Sequence, residues 1–139
     1  MRGDSMKAPA VNKVVETGVY VTDLDAAREF YTNVVGLELY TEEKNRHVFL
    51  KAGKSMLLIF RAEATLNERR LPPHGATGVQ HFAFEIEGKD FDYWKRRLAE
   101  KGVPVEREVD WGRARSVYFR DPSNNVVELI TKGNWPIAD

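Results

Sequence analysis

Two short stretches with a similar pattern of apolar residues indicate the fold of this chain: ETGVYV at residues 16–21 and HFAFEI at residues 81–86. Both are rich in β-branched or aromatic residues, which indicates a buried β-strand. The first opens with Glu16 and the second, 65 positions later, opens with His81. Both side chains are able to bind a metal ion, so the pair suggests a shared site at the start of two related strands.

The residues after each stretch repeat one pattern. A helix with apolar residues at helical spacing follows, and it ends at Gly36 in the first half and at Gly102 in the second. Three more strands follow each helix, predicted at residues 37–41, 47–51 and 55–60, and at residues 103–109, 115–120 and 126–131. One such half cannot cover its own sheet, so the two halves must pack together.

We therefore predict an α+β fold, in which two tandem βαβββ modules form a cupped mixed sheet around a central site. The modules span residues 12–60 and 79–132, within a single domain of residues 12–139. A connecting loop at residues 61–78 joins them, and residues 1–11 form a flexible N-terminal tail.

The composition restricts the classes of partner. The chain has 139 residues with 21 basic and 21 acidic side chains, and nucleic acids and anionic membranes select more basic surfaces. The chain has no cysteine, which excludes disulfides and thiolate ligands and fits a reducing compartment. It has no apolar run near the ~20 residues that span a bilayer. We expect a cytoplasmic protein with a small-molecule substrate, no nucleic acid and no membrane partner.

Three stretches carry a family resemblance: VYVTDLDAAREFYTNVVGLELY, HFAFEI and VYFRDPSNNVVELI. They resemble the vicinal oxygen chelate superfamily, which includes glyoxalase I, fosfomycin-resistance and bleomycin-resistance proteins, methylmalonyl-CoA epimerase and extradiol dioxygenases. The resemblance covers residues 14–132. It implies a cupped sheet around a divalent metal, with ligands from the first and fourth strands of each module. It also implies a homodimer, often with sites built from both chains.

Carried over to this chain, the first-strand ligand positions are Glu16 and His81, and the fourth-strand positions are Ile59 and Glu128. Ile59 cannot bind a metal, and Glu16 replaces the usual histidine. Strand alternation supports Glu128 independently, because a carboxylate between aliphatic residues on one face needs a partner or a cation. The resemblance thus implies a metal site of Glu16, His81 and Glu128.

One histidine and two carboxylates suit a divalent ion: Mn²⁺, Zn²⁺, Ni²⁺, Fe²⁺ or Mg²⁺, with Mn²⁺ or Zn²⁺ favoured. Glu16 or Glu128 is the candidate proton acceptor, as a glutamate is in glyoxalase and epimerase relatives. Glu16 is preferred, because His81 already supplies a nitrogen ligand at the matching position. Tyr118 resembles the pocket tyrosine of the dioxygenase branch, with an ordinary core aromatic as the alternative.

Three further residues are weaker candidates for substrate contact. His47 matches Ser116 in the repeat, and it faces either the pocket or solvent. Arg113 and Arg115 either hold an anionic substrate or are solvated edge charges. His74, in the connecting loop, is expected to be exposed.

Two classes of function remain. The first is a metal-dependent, non-redox lyase, isomerase or transferase that acts on a small oxygenated substrate through a metal-stabilised oxyanion. The second is a metal-free protein of the bleomycin-resistance type that sequesters a ligand. Extradiol cleavage is disfavoured, because VDWGRARSVY, which ends at Tyr118, has no histidine. Three polar ligand positions favour the first class, whereas Ile59 and Glu16 favour the second.

Overall fold

The computed structural model describes residues 7–137. The first half contains β1 (Glu16–Val21), α1 (Leu24–Asn33), β2 (Glu38–Glu43), β3 (His47–Ala52), β4 (Ser55–Arg61) and the short helix α2 (Ala62–Leu66). The second half contains β5 (His81–Ile86), a 3₁₀ turn (Gly88–Asp90), α3 (Phe91–Glu100), β6 (Arg107–Asp110), β7 (Arg115–Arg120) and β8 (Val126–Thr131). The predicted α+β class and the repeated βαβββ order are confirmed.

Each half forms one four-stranded mixed sheet with the same strand order. The first sheet runs β1-β4-β3-β2 and the second runs β5-β8-β7-β6. In both sheets the first strand pairs in parallel with the last, and the other pairs are antiparallel. A parallel pair requires a crossover connection, which in each half consists of the helix and the two intervening strands.

Local signals set the ends of the helices. The Asp23 carboxylate accepts a hydrogen bond from the Ala26 amide at 3.0 Å and caps α1. Gly36 and Gly102 follow the two long helices with φ of +85° and +72°. This left-handed conformation carries no Cβ clash in glycine, so the chain turns sharply at both points.

The two modules share one hydrophobic core. Phe30 of α1 lies 6.0 Å from Phe119 of β7 between ring centroids, and the neighbouring Tyr31 hydroxyl donates to Asp121 at 2.8 Å. The Arg97 guanidinium of α3 donates to the carbonyl oxygens at the end of α1. Each long helix therefore contacts the other module, and each sheet covers one face against the shared core.

The strands alternate between this core and an open face. Three apolar side chains of β5 pack on the core: Phe82, Phe84 and Ile86. The side chains between them lie on the opposite face and are exposed: His81, Ala83 and Glu85. We call the face of each sheet that lies away from the shared core its open face.

Two elements differ from the prediction. β6 begins at Arg107 rather than at residue 103, because the Val103 amide donates to the Leu98 carbonyl oxygen at the end of α3 and Pro104 has no N–H. The connecting segment, predicted as a loop, contains the short helix α2. Its Thr65 is fully buried, so tertiary contacts hold this short helix in place.

The N-terminal residues before β1 are only partly described. Residues 7–15 contain no helix or strand and are exposed. Residues 1–6 of the predicted tail lie outside the described residues. Across residues 7–137, each helix is too short or too polar to cross a membrane.

Candidate metal centre

Glu128 is a carboxylate embedded in the second sheet. It lies on β8 between Ala83 of β5 and Tyr118 of β7, and only 6% of its surface is exposed. Its neighbours on the same face, Val126 and Ile130, are aliphatic. A buried carboxylate is unfavourable without bonded partners, so the groups that contact Glu128 define the site.

His81 is one such partner. Its Nε2 lies 3.3 Å from Glu128 Oε1, and its Nδ1 lies 3.1 Å from the Val126 carbonyl oxygen. A carbonyl oxygen only accepts, so Nδ1 carries the proton, and Nε2 of a neutral imidazole presents its lone pair to the carboxylate. Two acceptor atoms then face each other, and a proton or a metal ion between them makes the contact favourable.

A chain of hydrogen bonds holds the other carboxylate oxygen. The Ser116 hydroxyl donates to Glu128 Oε2 at 2.5 Å, and Trp111 Nε1–H donates to Ser116 Oγ at 2.9 Å. Neither Ser116 nor Trp111 is among the site residues predicted from the sequence. The available signal was spacing, since Ser116 lies two positions before Tyr118 and therefore shares its face of β7.

Tyr118 lies beside the His81–Glu128 pair, with its ring centroid 6.1 Å from that of His81. Burial, and then the charge of Glu128, raises the pKa of Tyr118 above its ordinary value. The hydroxyl therefore stays protonated at neutral pH and is a hydrogen-bond donor. A cavity of about 290 Å³ lies next to it, lined by Ala83, Trp111, Tyr118, Glu128, Ile130, Asn134 and Trp135. An apolar cavity beside a few polar groups is typical of a small-molecule site.

Glu16 is not part of this cluster. It is exposed at the first residue of β1, where its cross-strand neighbour is Met56. Within residues 7–137, no three histidine, aspartate or glutamate side chains come close enough together to hold a metal ion. Within one chain, His81 therefore contacts Glu128, and Glu16 lies outside the cluster.

The fourth-strand position of the first module is Leu58, not Ile59 as predicted. Gly18 pairs with Leu58 in the same way that Ala83 pairs with Glu128. Ile59 is fully buried in the shared core, because a shift of one residue moves a side chain to the other face of a sheet. Neither side chain binds a metal, so this position supplies no ligand.

His47 lies on the open face of the first module. Its ring stacks on Phe49 at 4.0 Å, and its Nδ1 lies 2.6 Å from Arg46 Nη1. Burial, and then the charge of Arg46, lowers the pKa of His47, so the ring is neutral at neutral pH. The His47 ring contacts Phe49 and Phe60, which are both residues of the first module. These contacts do not bring His47 to His81.

The remaining candidates lie away from Glu128. The Arg115 guanidinium is placed over the buried ring of Phe91 at 4.1 Å, so it does not line the cavity. Arg113 is exposed in the turn between β6 and β7. His74 is partly buried rather than exposed, because its Nδ1 lies 2.5 Å from the Tyr20 hydroxyl.

The two βαβββ modules, each with one four-stranded mixed sheet, define the class of this protein. The family model for the Glyoxalase/Bleomycin resistance protein/Dioxygenase superfamily matches residues 13–129. The chain belongs to this superfamily, and the resemblance found in the sequence is confirmed.

Individual relatives are similar over most of the chain. A crystal structure of lactoylglutathione lyase from Agrobacterium tumefaciens matches with a TM-score of 0.86 and 37% identity, over 94% of this chain and 100% of that one. A lactoylglutathione lyase of Arabidopsis thaliana is 34% identical over 84% of this chain and 43% of its own length. The metallothiol transferase FosB of Bacillus licheniformis is 30% identical over 80% of this chain and 70% of its own length. The chain spans about two fifths of the first curated relatives it matches, 38% and 43% of their lengths.

Proposed function

We propose that this protein is a metal-dependent enzyme with non-redox lyase, isomerase or transferase chemistry on a small oxygenated substrate. The observation that carries the proposal is the 3.3 Å contact between His81 Nε2 and Glu128 Oε1. Hydrogen bonds to the Val126 carbonyl oxygen and to Ser116 already orient both groups. The similarity to a lactoylglutathione lyase over nearly the whole chain supports the same class.

The two donor atoms fit a divalent ion. One nitrogen and one oxygen donor that face each other at 3.3 Å would hold a divalent ion such as zinc, which takes both kinds of ligand in proteins. The lone pair of His81 Nε2 and the charge of Glu128 are both satisfied by a cation. An imidazole with carboxylates suits Mn²⁺ or Zn²⁺, with Ni²⁺, Fe²⁺ and Mg²⁺ as alternatives.

We assign the third ligand to Glu16 of a second copy of the chain, in a homodimer. Glu16 is exposed, and none of the residues 7–137 forms a hydrogen bond or ion pair with its carboxylate. It occupies the position that matches His81 in the repeat. A two-fold axis between chains would supply the same residue to two equivalent sites.

The residues of the site then have separate roles. The three residues His81, Glu128 and Glu16 would hold a divalent ion, which would supply Lewis-acid chemistry toward a substrate carbonyl or two neighbouring substrate oxygens. Glu128 is held by Ser116 and His81, and so serves as a ligand. Glu16 is not held within the described chain, and so it can accept a proton from the carbon next to the carbonyl. The protonated Tyr118 hydroxyl donates a hydrogen bond to a substrate oxygen on which negative charge develops.

The types of ligand favour chemistry without redox change. Non-haem iron oxygenases commonly use two histidines and one carboxylate. This set has a single histidine, His81, with Glu16 and Glu128, and the stretch VDWGRARSVY before and including Tyr118 adds none. Two carboxylates instead suit a Lewis acid with a nearby proton acceptor.

A metal-free protein that sequesters a ligand is the second candidate. The open face of the first module favours it, because Phe49 stacks on His47 and Phe60 stacks on Tyr20. Leu58 adds a further apolar side chain at the ligand position of that module. Such a surface suits an apolar ligand.

A subunit-mixing experiment with Zn²⁺ tests the proposed site. His81→Ala and Glu16→Lys are each expected to lose tight Zn²⁺ binding, because each change damages every site of a homodimer. After the two variants are refolded together, mixed dimers hold one intact site, and about a quarter of the wild-type capacity should return. Equilibrium dialysis measures the capacity.

A mixture of His81→Ala with Glu128→Leu is the matched control. Both changes affect the same half of the site, so no pairing of these chains restores it. Recovery in the control, or no recovery in the first mixture, contradicts the assignment of Glu16 to a second copy. A wild-type protein that binds a small apolar ligand but no divalent ion would favour the sequestering function.

A further inference from the structure

We infer that Trp111 is a positioning residue for Glu128 and acts through Ser116. Trp111 Nε1 lies 2.9 Å from Ser116 Oγ, and Ser116 Oγ lies 2.5 Å from Glu128 Oε2. The other oxygen of Glu128 faces His81 Nε2 at 3.3 Å. We call the first two hydrogen bonds the relay. The inference rests on the proposed metal function only where it links the relay to metal affinity.

The chemistry of the three groups sets the direction of the relay. An indole N–H only donates, an ionised carboxylate only accepts, and a hydroxyl carries a single proton. Ser116 must therefore accept from Trp111 and donate its proton to Glu128. The indole restricts rotation of the hydroxyl, and the hydroxyl in turn determines which carboxylate oxygen is left to face His81.

The turn between β6 and β7 holds the indole in place. The Trp111 amide donates to the Ala114 carbonyl oxygen at 2.8 Å, and the Gly112 amide donates to Asp110 Oδ1 at 2.8 Å. Gly112 has φ of +88°, which a residue with a Cβ rarely adopts. The backbone at the base of the Trp111 side chain is thus fixed by local bonds.

The exposure of Trp111 separates this role from core packing. Trp111 is 49% exposed, yet its N–H reaches a hydroxyl that is fully buried. Its ring also lines the cavity beside Glu128. A molecule bound in the cavity would therefore contact the same group that orients the carboxylate.

The first module supports the assignment by contrast. His47 stands where Ser116 stands in the second module, and Leu58 stands where Glu128 stands. His47 contacts Arg46 and Phe49 rather than a carboxylate. The relay is thus found in the module that carries the buried acid.

Indole N–H resonances in ¹H–¹⁵N spectra test the relay in metal-free protein. The chain has three tryptophans, and the Trp111 signal is the one lost in Trp111→Phe. We expect Ser116→Ala and Glu128→Leu each to shift the Trp111 signal, with Trp94 as the reference that does not move. An unchanged Trp111 signal in Glu128→Leu would overturn the relay.

Calorimetric titration with ZnCl₂ tests the positioning role. Trp111→Phe keeps a ring but removes the donor, and we expect about tenfold weaker Zn²⁺ binding, as for other groups that support a ligand. Trp94→Phe, the matched control on α3, should bind Zn²⁺ like the wild type. In a Ser116→Ala background, Trp111→Phe should have no further effect, because the relay is already broken.

Each outcome of the titration decides a different point. Unchanged affinity in Trp111→Phe, or the same loss in both backgrounds, would overturn the positioning role. A wild-type protein that binds none of Zn²⁺, Mn²⁺, Ni²⁺, Fe²⁺ and Mg²⁺ contradicts the proposed function, and the resonance shift alone then decides whether Trp111 acts on Glu128.

Discussion

The open faces of the two modules have the same strand pairing and opposite chemistry. The central positions of the second face are Ser116, Tyr118 and Glu128. The equivalent positions of the first face are His47, Phe49 and Leu58. On the second face, polar side chains are hydrogen-bonded to one another. On the first face, aromatic rings and the His47 ring are stacked. A sheet can thus bury a carboxylate where neighbouring strands supply donors for it.

Ring contacts hold the first face together. Phe60 stacks on Tyr20 at 5.8 Å and meets His74 edge-on at 4.8 Å. Pairs of this kind contribute about 0.5–1.5 kcal/mol beyond their buried area. The ligand candidate of this module, Glu16, lies at the exposed end of β1.

Removal of either proposed ligand on the second face is expected to have the largest effect. His81→Ala and Glu128→Leu should each weaken Zn²⁺ binding by more than about 100-fold, beyond the range for supporting groups. Metal analysis after dialysis against buffered Zn²⁺ measures this loss. Wild-type metal content in His81→Ala would contradict the site.

Tyr118→Phe makes the second face resemble the first, where Phe49 stands at the same position. We expect about 100-fold slower turnover of the proposed small oxygenated substrate, because a hydrogen-bond donor to the reacting oxygen is lost. Metal content should stay unchanged, since the phenol is not a ligand. Tyr93→Phe on the exposed side of α3 is the control for steady-state kinetics.

A reciprocal exchange tests whether the relay makes the buried acid tolerable. Leu58→Glu should destabilise the protein by about 2 kcal/mol, because the first face has no serine donor at the equivalent position. Glu128→Leu should leave the stability of metal-free protein unchanged or raise it by about 1 kcal/mol, since a buried charge is removed. Urea unfolding with a chelator present measures both. Equal destabilisation by the two changes would contradict the comparison.

The smallest expected effect concerns pH. The folded state lowers the pKa of His47, so the unfolded state binds a proton more readily and stability falls as pH drops below about 6.5. Between about pH 7 and pH 5, the free energy of unfolding should fall less in His47→Ser than in the wild type. The difference between the two losses should be under about 1 kcal/mol. Urea unfolding at several pH values shows the difference in slope, and a wild-type slope in the variant would contradict it.

Most of the fold could be predicted because its signals are local. Helical spacing, the glycine stops at Gly36 and Gly102, and strand alternation depend on neighbours along the chain. The start of β6 could not be predicted in this way, because the Val103 amide donates a hydrogen bond to the Leu98 carbonyl oxygen at the end of α3. The ligand position on β4 was placed one residue too far along, at Ile59 instead of Leu58. The offset between the repeats is 69 residues from Phe49 to Tyr118, but it is 70 residues from Leu58 to Glu128.

The sequence by itself determined the residue types, the repeat and the faces on which His81 and Glu128 lie. Only the tertiary structure decided that these two side chains meet at 3.3 Å, that Ser116 and Trp111 complete the contact, and that Glu16 is absent from it. Hydrogen bonds and metal ligation depend on tenths of an ångström and on direction. Strand register and packing between distant segments set those distances, and a slip of one residue turns a ligand away from the site.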